Sequence, residues 1–332
     1  MTTVPIPEGK LPADQLGRLL GAGGPMPASV LLGPAVGEDA CALDVDGAVV
    51  VAATDPITLT GSDVGRYAVH INANDVAVAG ARPRWFLAAI LLPPGTAGDL
   101  VEALFASMRE ALEEVGAALV GGHTEVTGAV NQPVVVGQML GVAGSRGAVA
   151  TRGARVGDVV VQVGPVPIEG AAVLAVEAAD RLADVPPGVL EAARRATRDP
   201  GISVVEAALA AYDHGATAMH DPTEGGLAAG LHELAVAAGA AIRVWPERLV
   251  WFEPGLAVCR ALGADPLSTL ASGALLATFP PDRAAEAVHR LATAEHPAAA
   301  IGVVEPGKGV RDEAGADVPW PARDEAARLL AS

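Results

Sequence analysis

The chain has 332 residues, 51% of them hydrophobic, and a net charge of −17. That length accommodates two ordinary domains with a sizeable core, while the acidic balance argues against nucleic acid or an anionic membrane as a partner, because both demand a basic surface. The start, Met-Thr-Thr-Val-Pro, carries no basic segment followed by an apolar one, and apolar runs such as 86–92 are too short to span a bilayer, so the expected location is the cytoplasm.

In chain order, an amphipathic stretch at 16–20 breaks at Gly21, Gly23, Gly24 and Pro25. A turn-rich segment over 33–40 follows. Val49, Val50 and Val51 then predict a buried strand that ends at Thr54-Asp55-Pro56. The spacing of Val69, Val76 and Ala79 predicts a helix over 64–79, bounded by Pro83. A strand is expected over 85–92, an amphipathic helix over 100–115, a short strand over 118–120 that runs into Gly121-Gly122, and a strand over 133–140. A glycine-rich, charged connector at 144–157 separates an expected N-terminal domain, 1–148, from a second domain, 149–332. There the pattern predicts strands over 159–163, 274–278 and 300–304. Helices are expected over 169–179, 189–197, 204–212, 227–238 and 283–292, with a short segment at 216–219 leading into His220. The expected class is α/β (α+β), with two mixed sheets covered by helices.

Polar clusters stand at strand ends and in glycine turns: Gly37-Glu38-Asp39-Ala40, Thr54-Asp55-Pro56, Asn72-Ala73-Asn74-Asp75, Gly121-Gly122-His123-Thr124-Glu125 and His220-Asp221-Pro222-Thr223-Glu224-Gly225-Gly226. Mg²⁺ takes a few carboxylates together with phosphate oxygens, which Asp39, Asp55, Asp75 and Glu125 supply if the fold gathers them. Lys10 and Lys308 are the only lysines, so a phosphate ligand must rely on metal ions, arginines or backbone N–H groups. Taken singly, Asp39 and Asp221 read as turn chemistry. Asn74 and Asp75 are harder to read so, because both are poor helix formers inside a helical pattern and need compensation. Neither Gly9-Lys10 nor Gly307-Lys308 completes a P-loop, and His232-Glu233 lacks the second histidine of a zinc-protease helix. Cys41 and Cys259 form no CxxC pair, and Cys259 reads as a core residue on a helix.

In order and spacing, these five clusters resemble the superfamily of aminoimidazole ribonucleotide synthetase, thiamine-monophosphate kinase, selenide water dikinase and the hydrogenase-maturation carbamoyl dehydratase. The likeness runs from about Gly9 to Val304. The stretches 69–85 and 200–205 look most like the hydrogenase-maturation branch. The resemblance implies a homodimer whose N-terminal sheets join into a barrel, and an ATP site between protomers formed by Gly37, Glu38, Asp39, Asp55, Asn74, Asp75, Gly121 and Gly122. It also implies Mg²⁺ on Asp39, Asp55, Asp75 and Glu125. His220, Asp221 and Glu224 would face the small-molecule substrate or the γ-phosphate, with His123 and Glu125 as catalytic groups. The chemistry implied is phosphorylation of an oxygen, often an amide or carbonyl oxygen. Departures are visible. The chain ends Arg328-Leu329-Leu330-Ala331-Ser332 without that branch's reactive cysteine, Glu125 stands where the branch tends to have lysine, and Ser272 where it tends to have glutamate. Three readings follow: an ATP- and Mg²⁺-dependent enzyme, a maturation factor acting on a cysteine supplied by a partner protein, and a non-catalytic nucleotide-binding scaffold.

Overall fold

The computed structural model describes residues 11–21, 26–58, 63–293 and 296–331. Most of the glycine break after the first helix, together with Gly9, Lys10 and Ser332, lies outside these residues. The first domain contains α1 (Ala13–Gly21), β1 (Val30–Leu32), β2 (Cys41–Val45), β3 (Ala48–Ile57), α2 (Val64–Val78), β4 (Ala81–Leu92), α3 (Gly98–Val115), β5 (Ala118–Val126) and β6 (Val134–Ala143). Its six strands pair in the order β1-β2-β3-β6-β4-β5. The β4–β5 pair is parallel, as a connection through α3 allows, and the other pairs are antiparallel.

The second domain contains β7 (Val159–Val163), α4 (Glu169–Glu177), α5 (Pro187–Arg194), α6 (Val205–Asp213), β8 (Ala218–His220), α7 (Gly226–Ala238), β9 (Ala241–Val244), α8 (Glu253–Leu262), β10 (Leu275–Phe279), α9 (Pro281–Thr293), β11 (Ala298–Glu305), β12 (Gly309–Asp312) and α10 (Glu325–Leu330). Its sheet order is β12-β9-β11-β7-β10-β8, with β9 and β12 parallel. The expected pair of mixed sheets with helices is what the chain forms. Among the described residues, no helix is long and apolar enough to cross a membrane.

Two strands are longer than their residue types indicate. β4 begins at Ala81, and Pro83, expected as a boundary, is absorbed where the register with β6 shifts. Proline offers no N–H to a ladder and is tolerated at such bulges. β5 does not stop at Val120 but continues through Gly121 to Val126. Gly122 lies so close to β4 that a Cβ would stand 2.1 Å from the Ala88 carbonyl oxygen, and its φ of +147° suits glycine alone. Within this chain Gly122 therefore serves close strand packing.

All 15 residues of α2 are buried. The helix packs against α3 and the first sheet on one side and α6 of the second domain on the other. This placement explains the polar residues within it. The Asn72 amide accepts the Asp55 N–H at 2.8 Å and donates to the Asp55 carbonyl at 3.3 Å and the Ala68 carbonyl at 2.8 Å. The Asn74 amide donates to the Ile202 carbonyl at 2.9 Å and accepts the Val204 N–H at 2.8 Å. Asn74 therefore ties the domains together through two buried backbone groups. Asn74→Ala leaves both unsatisfied and is expected to cost about 2–4 kcal/mol. Urea unfolding measures the loss, and faster hydrogen exchange at the Val204 amide places it at the domain contact.

Candidate active site between the domains

The site begins with a turn that needs glycine. Gly37 has φ +83°, and a Cβ there would stand 2.9 Å from the Glu233 carbonyl oxygen, so the Gly37-Glu38-Asp39 turn can rest directly on α7. The Glu38 carboxylate accepts the Thr151 N–H at 2.9 Å, the Arg152 N–H at 3.3 Å and the Arg152 guanidinium at 3.0 Å. These bonds anchor the turn to the interdomain connector. Asp39 is left facing the second domain. Its Oδ2 lies 2.7 Å from His220 Nδ1, and His220 Nε2 lies 2.9 Å from Glu233 Oε2.

His220 closes β8 and is 3% exposed. Burial alone would lower its pKa, but the charges and hydrogen bonds of Asp39 and Glu233 outweigh that and hold it well above the usual histidine value. Each ring nitrogen faces a carboxylate, so the ring is an imidazolium that donates to both. The next residue, Asp221, is equally buried, and neither carboxyl oxygen has a hydrogen-bond partner in another residue. Burial, together with the nearby Asp39 and Asp55, pushes its pKa well above the carboxylate range. One ligand atom each from Asp39, His220 and Asp221 falls within 4.8 Å of the others.

A hard divalent cation fits the carboxylates gathered here, Asp39 and Asp221 with Asp55 near them, and not the doubly donating His220 ring. It would satisfy the orphaned Asp221 oxygens and relieve the repulsion among Asp39, Asp55 and Asp221, and carboxylates are the ligands such ions take. His220 currently supplies the positive charge between Asp39 and Glu233.

The structure gathers some of the expected residues and separates others. Asp55 is at the exposed end of β3, its backbone clamped by Asn72. Asp75 is buried on α2, and Asn74, expected at the cofactor, uses both its amide atoms on the domain contact. Glu224 is exposed on the turn before α7, with Thr223 Oγ1 3.2 Å from its Oε2. Gly121, Gly122, His123 and Glu125 are all on the edge strand β5. The register runs Asp55–Gly137–Ala88–Gly122 across the sheet, so they stand three strand spacings, about 14 Å, from Asp55. His123 Nε2 and Glu125 Oε2 are 3.3 Å apart and well exposed. Within one chain they do not meet the acids.

Two members of the site were not legible as such. Glu233 stands in the sequence as half of an incomplete zinc motif; its signal is a charged residue in a helix that is otherwise almost wholly apolar. Asn72, which positions Asp55, was signalled only by its place beside Asn74 and Asp75. Cys259 is buried and its thiol is pushed up to about 11, chiefly by burial, so it is neutral and unreactive near pH 7.

Two mixed sheets joined across α2, with an acid-rich centre between them, define a class. Residues 37–143 match the family of AIR synthase related proteins, N-terminal domain, and residues 155–314 match the C-terminal domain of the same family. The chain belongs to the AIR synthase-related proteins, and within them its relatives are on the hydrogenase-maturation branch. It is 32% identical over 263 residues to the carbamoyl dehydratase HypE of Rhodobacter capsulatus, an alignment covering 78% of this chain and 74% of that one. The crystal structure of hydrogenase maturation protein HypE in complex with ATP is similar with a TM-score of 0.68 at 27% identity, covering 90% of this chain and 92% of that one. A chain of the HypE–HypF complex is similar with a TM-score of 0.70 at 25% identity, covering 86% and 94%.

Proposed function

We propose that this chain is an ATP-dependent enzyme that phosphorylates the oxygen of a carbamoyl or amide substrate and so turns that oxygen into a leaving group. The carrying observation is the interdomain centre of Asp39, His220 and Asp221, in which both buried carboxyl oxygens of Asp221 lack a partner, in a chain similar to an ATP-bound relative. Asp39, Asp55 and Asp221 are the residues that would hold Mg²⁺, with Asp75 as a further ligand and Glu125 only from a second copy of the chain. The ion supplies charge neutralisation for the phosphates of the nucleotide. His220 fixes the Asp39 carboxylate with one N–H and is itself fixed by Glu233 through the other. In the transfer, the substrate oxygen attacks the γ-phosphorus as the bond to the ADP oxygen breaks. The nitrogen loses one proton as the oxygen is phosphorylated and its second as the carbon–oxygen bond breaks, so that a carbon–nitrogen triple bond forms and the oxygen leaves with phosphate.

A homodimer suits the same reading. β5 is an edge strand exposed along its whole length, with Leu119, Val120 and Val126 outermost and Trp85 exposed on the adjacent β4. Bare apolar edges favour pairing, and a second copy would return His123 and Glu125 to a neighbouring acid centre. Cys259 is buried and inert and Cys41 is built into β2, paired with β3, and in this reading a carbamoyl-bearing cysteine comes from a partner protein. A maturation partner of the kind seen in the HypE–HypF complex fits that role in the cytoplasm.

The test uses a cysteine peptide carbamoylated with ¹⁸O, Mg²⁺ and ATP. Label recovered in inorganic phosphate is the expected result. ADP with unlabelled phosphate would mean that water is attacked instead. Binding without any ADP would leave a nucleotide-binding scaffold.

A further inference from the structure

Asp221 owes its place to its backbone. Neither of its carboxyl oxygens is held by another residue, so their position is set by the turn over 221–226 that links β8 to α7. That turn is tightly constrained. Gly225 and Gly226 follow one another in the left-handed region, at φ +81° and +65°, which glycine adopts without strain. The Gly226 N–H returns to the Thr223 carbonyl at 3.1 Å, and the Ala271 N–H donates to the same carbonyl at 3.2 Å. Pro222 lies against Gly230 of α7, where a Cβ would stand 2.7 Å from the proline Cγ.

A further hold on the turn comes from the last part of the chain. Asp324 is 5% exposed. Its Oδ2 accepts the Gly225 N–H at 2.8 Å, across 99 residues of sequence, and its Oδ1 accepts the Ala326 N–H at 2.8 Å, capping α10. The segment that carries Asp324 is fixed on both sides. Upstream, the Val318 N–H donates to the Val310 carbonyl at 2.9 Å, His232 Nε2 on α7 donates to the Val318 carbonyl at 2.8 Å, and the Trp320 ring stacks on His232 with centroids 5.0 Å apart. Downstream, Ala326 and Leu329 bury in a cluster with Ala171, Leu174 and Leu262, which seats α10 on α4. Asp324 stands between these anchors, where the segment is hydrogen-bonded to the turn.

A helix cap needs one acceptor, which serine supplies as well as aspartate. The second oxygen of Asp324 goes to Gly225, in the turn that begins with Asp221. We infer that Asp324 is a positioning residue for the interdomain centre: through the Gly225 N–H it fixes the 221–226 turn, and with it the Asp221 carboxyl, where Asp221 and Asp39 can share a divalent cation. This inference rests on the reading of Asp39 and Asp221 as metal-holding acids. Groups that orient metal ligands without touching the ion change its affinity by about 10–100-fold when they are replaced.

The experiment separates the two oxygens of Asp324. Asp324→Ser keeps a cap for α10, but its hydroxyl is too short to hold Gly225 as well; Asp324→Ala keeps neither bond. Mn²⁺, which takes the same carboxylate ligands as Mg²⁺, is the probe. It is titrated into the full chain without nucleotide, and the free ion is counted by electron paramagnetic resonance. Both variants are expected to bind Mn²⁺ at least about tenfold more weakly than wild type, and to the same degree as each other. The Gly225 amide should exchange faster in both, while urea unfolding finds Asp324→Ala less stable than Asp324→Ser. Wild-type affinity in Asp324→Ser, or an affinity that falls in step with stability from Ser to Ala, overturns the inference and leaves Asp324 a helix cap. Should Asp324→Ala not fold, Asp324→Ser against wild type decides alone. Wild type and Asp221→Asn are the reference pair. No uptake by wild type, or uptake that Asp221→Asn leaves unchanged, removes the metal reading itself and this inference with it.

Discussion

Asp221→Asn is expected to make the metal-free protein more stable while abolishing its turnover. Asp221 is 3% exposed with both carboxyl oxygens unpartnered. Its ionised form is opposed by burial and by the charges of Asp39 and Asp55. An asparagine amide leaves the polar group in place but removes the cost of keeping an ionisable carboxyl protonated or charged among like charges, so stability near pH 7 should rise by about 1–3 kcal/mol. The pH dependence has a definite sign. The folded pKa is raised above the unfolded one, so the unfolded chain releases this proton first. Wild-type stability is full below the unfolded value and falls as pH rises towards the folded one. The Asn variant should lack that decline, as unfolding midpoints across pH in the presence of a chelator would show. Turnover should drop on the order of 10²–10³-fold, the usual consequence of removing a preorganised electrostatic group from a reaction centre. A variant less stable than wild type in chelator at every pH would mean that Asp221 is a structural residue with an unrecognised partner.

His220→Ala should act in the opposite direction. The imidazolium lies between Asp39 at 2.7 Å and Glu233 at 2.9 Å, and all three side chains are largely withdrawn from solvent. Removing one partner of such a group leaves uncompensated charge, at a typical cost of about 3–5 kcal/mol. The loss should appear in urea unfolding with chelator present and shrink when millimolar Mg²⁺ is added, because an ion on Asp39 replaces the missing positive charge. A loss that Mg²⁺ leaves unchanged would place the histidine in a purely structural role. Opposite signs for neighbouring residues 220 and 221 separate a charge-balanced metal centre from general loosening of the domain contact.

The sequence was informative where chemistry and periodicity agreed. The valine run of β3 and the amphipathic α3 mark themselves. The polar residues of α2 announced that something must compensate them, and Asn72 and Asn74 do so through backbone groups of Asp55, Ile202 and Val204. Short strands such as β1, β9 and β12 were not marked, because three or four residues carry too little pattern. β5 was mistaken beyond Val120 because glycine signals a turn locally, whereas here it permits close strand approach to Ala88. The five clusters stand out in the sequence as polar islands, but their distribution in space does not. Sheet register, which depends on pairings far apart in sequence, puts His123 and Glu125 on the edge distant from Asp55. The pairing of His220 with Glu233 and Asp39 likewise spans 181 residues on one side and 13 on the other.

The most direct test of the central claim, that the acids between the domains hold a magnesium–nucleotide complex, is a thermal-shift titration with ATP and Mg²⁺ set against ATP with a chelator, in the wild-type chain and in Asp221→Asn. A ligand at a hundred times its dissociation constant adds about 2.7 kcal/mol of stability, a rise of several degrees. The expected result is a rise that requires both ATP and Mg²⁺ in the wild type and is absent from the variant. A rise of equal size in chelator, or one undiminished in Asp221→Asn, would contradict the claim and put the nucleotide elsewhere on the molecule.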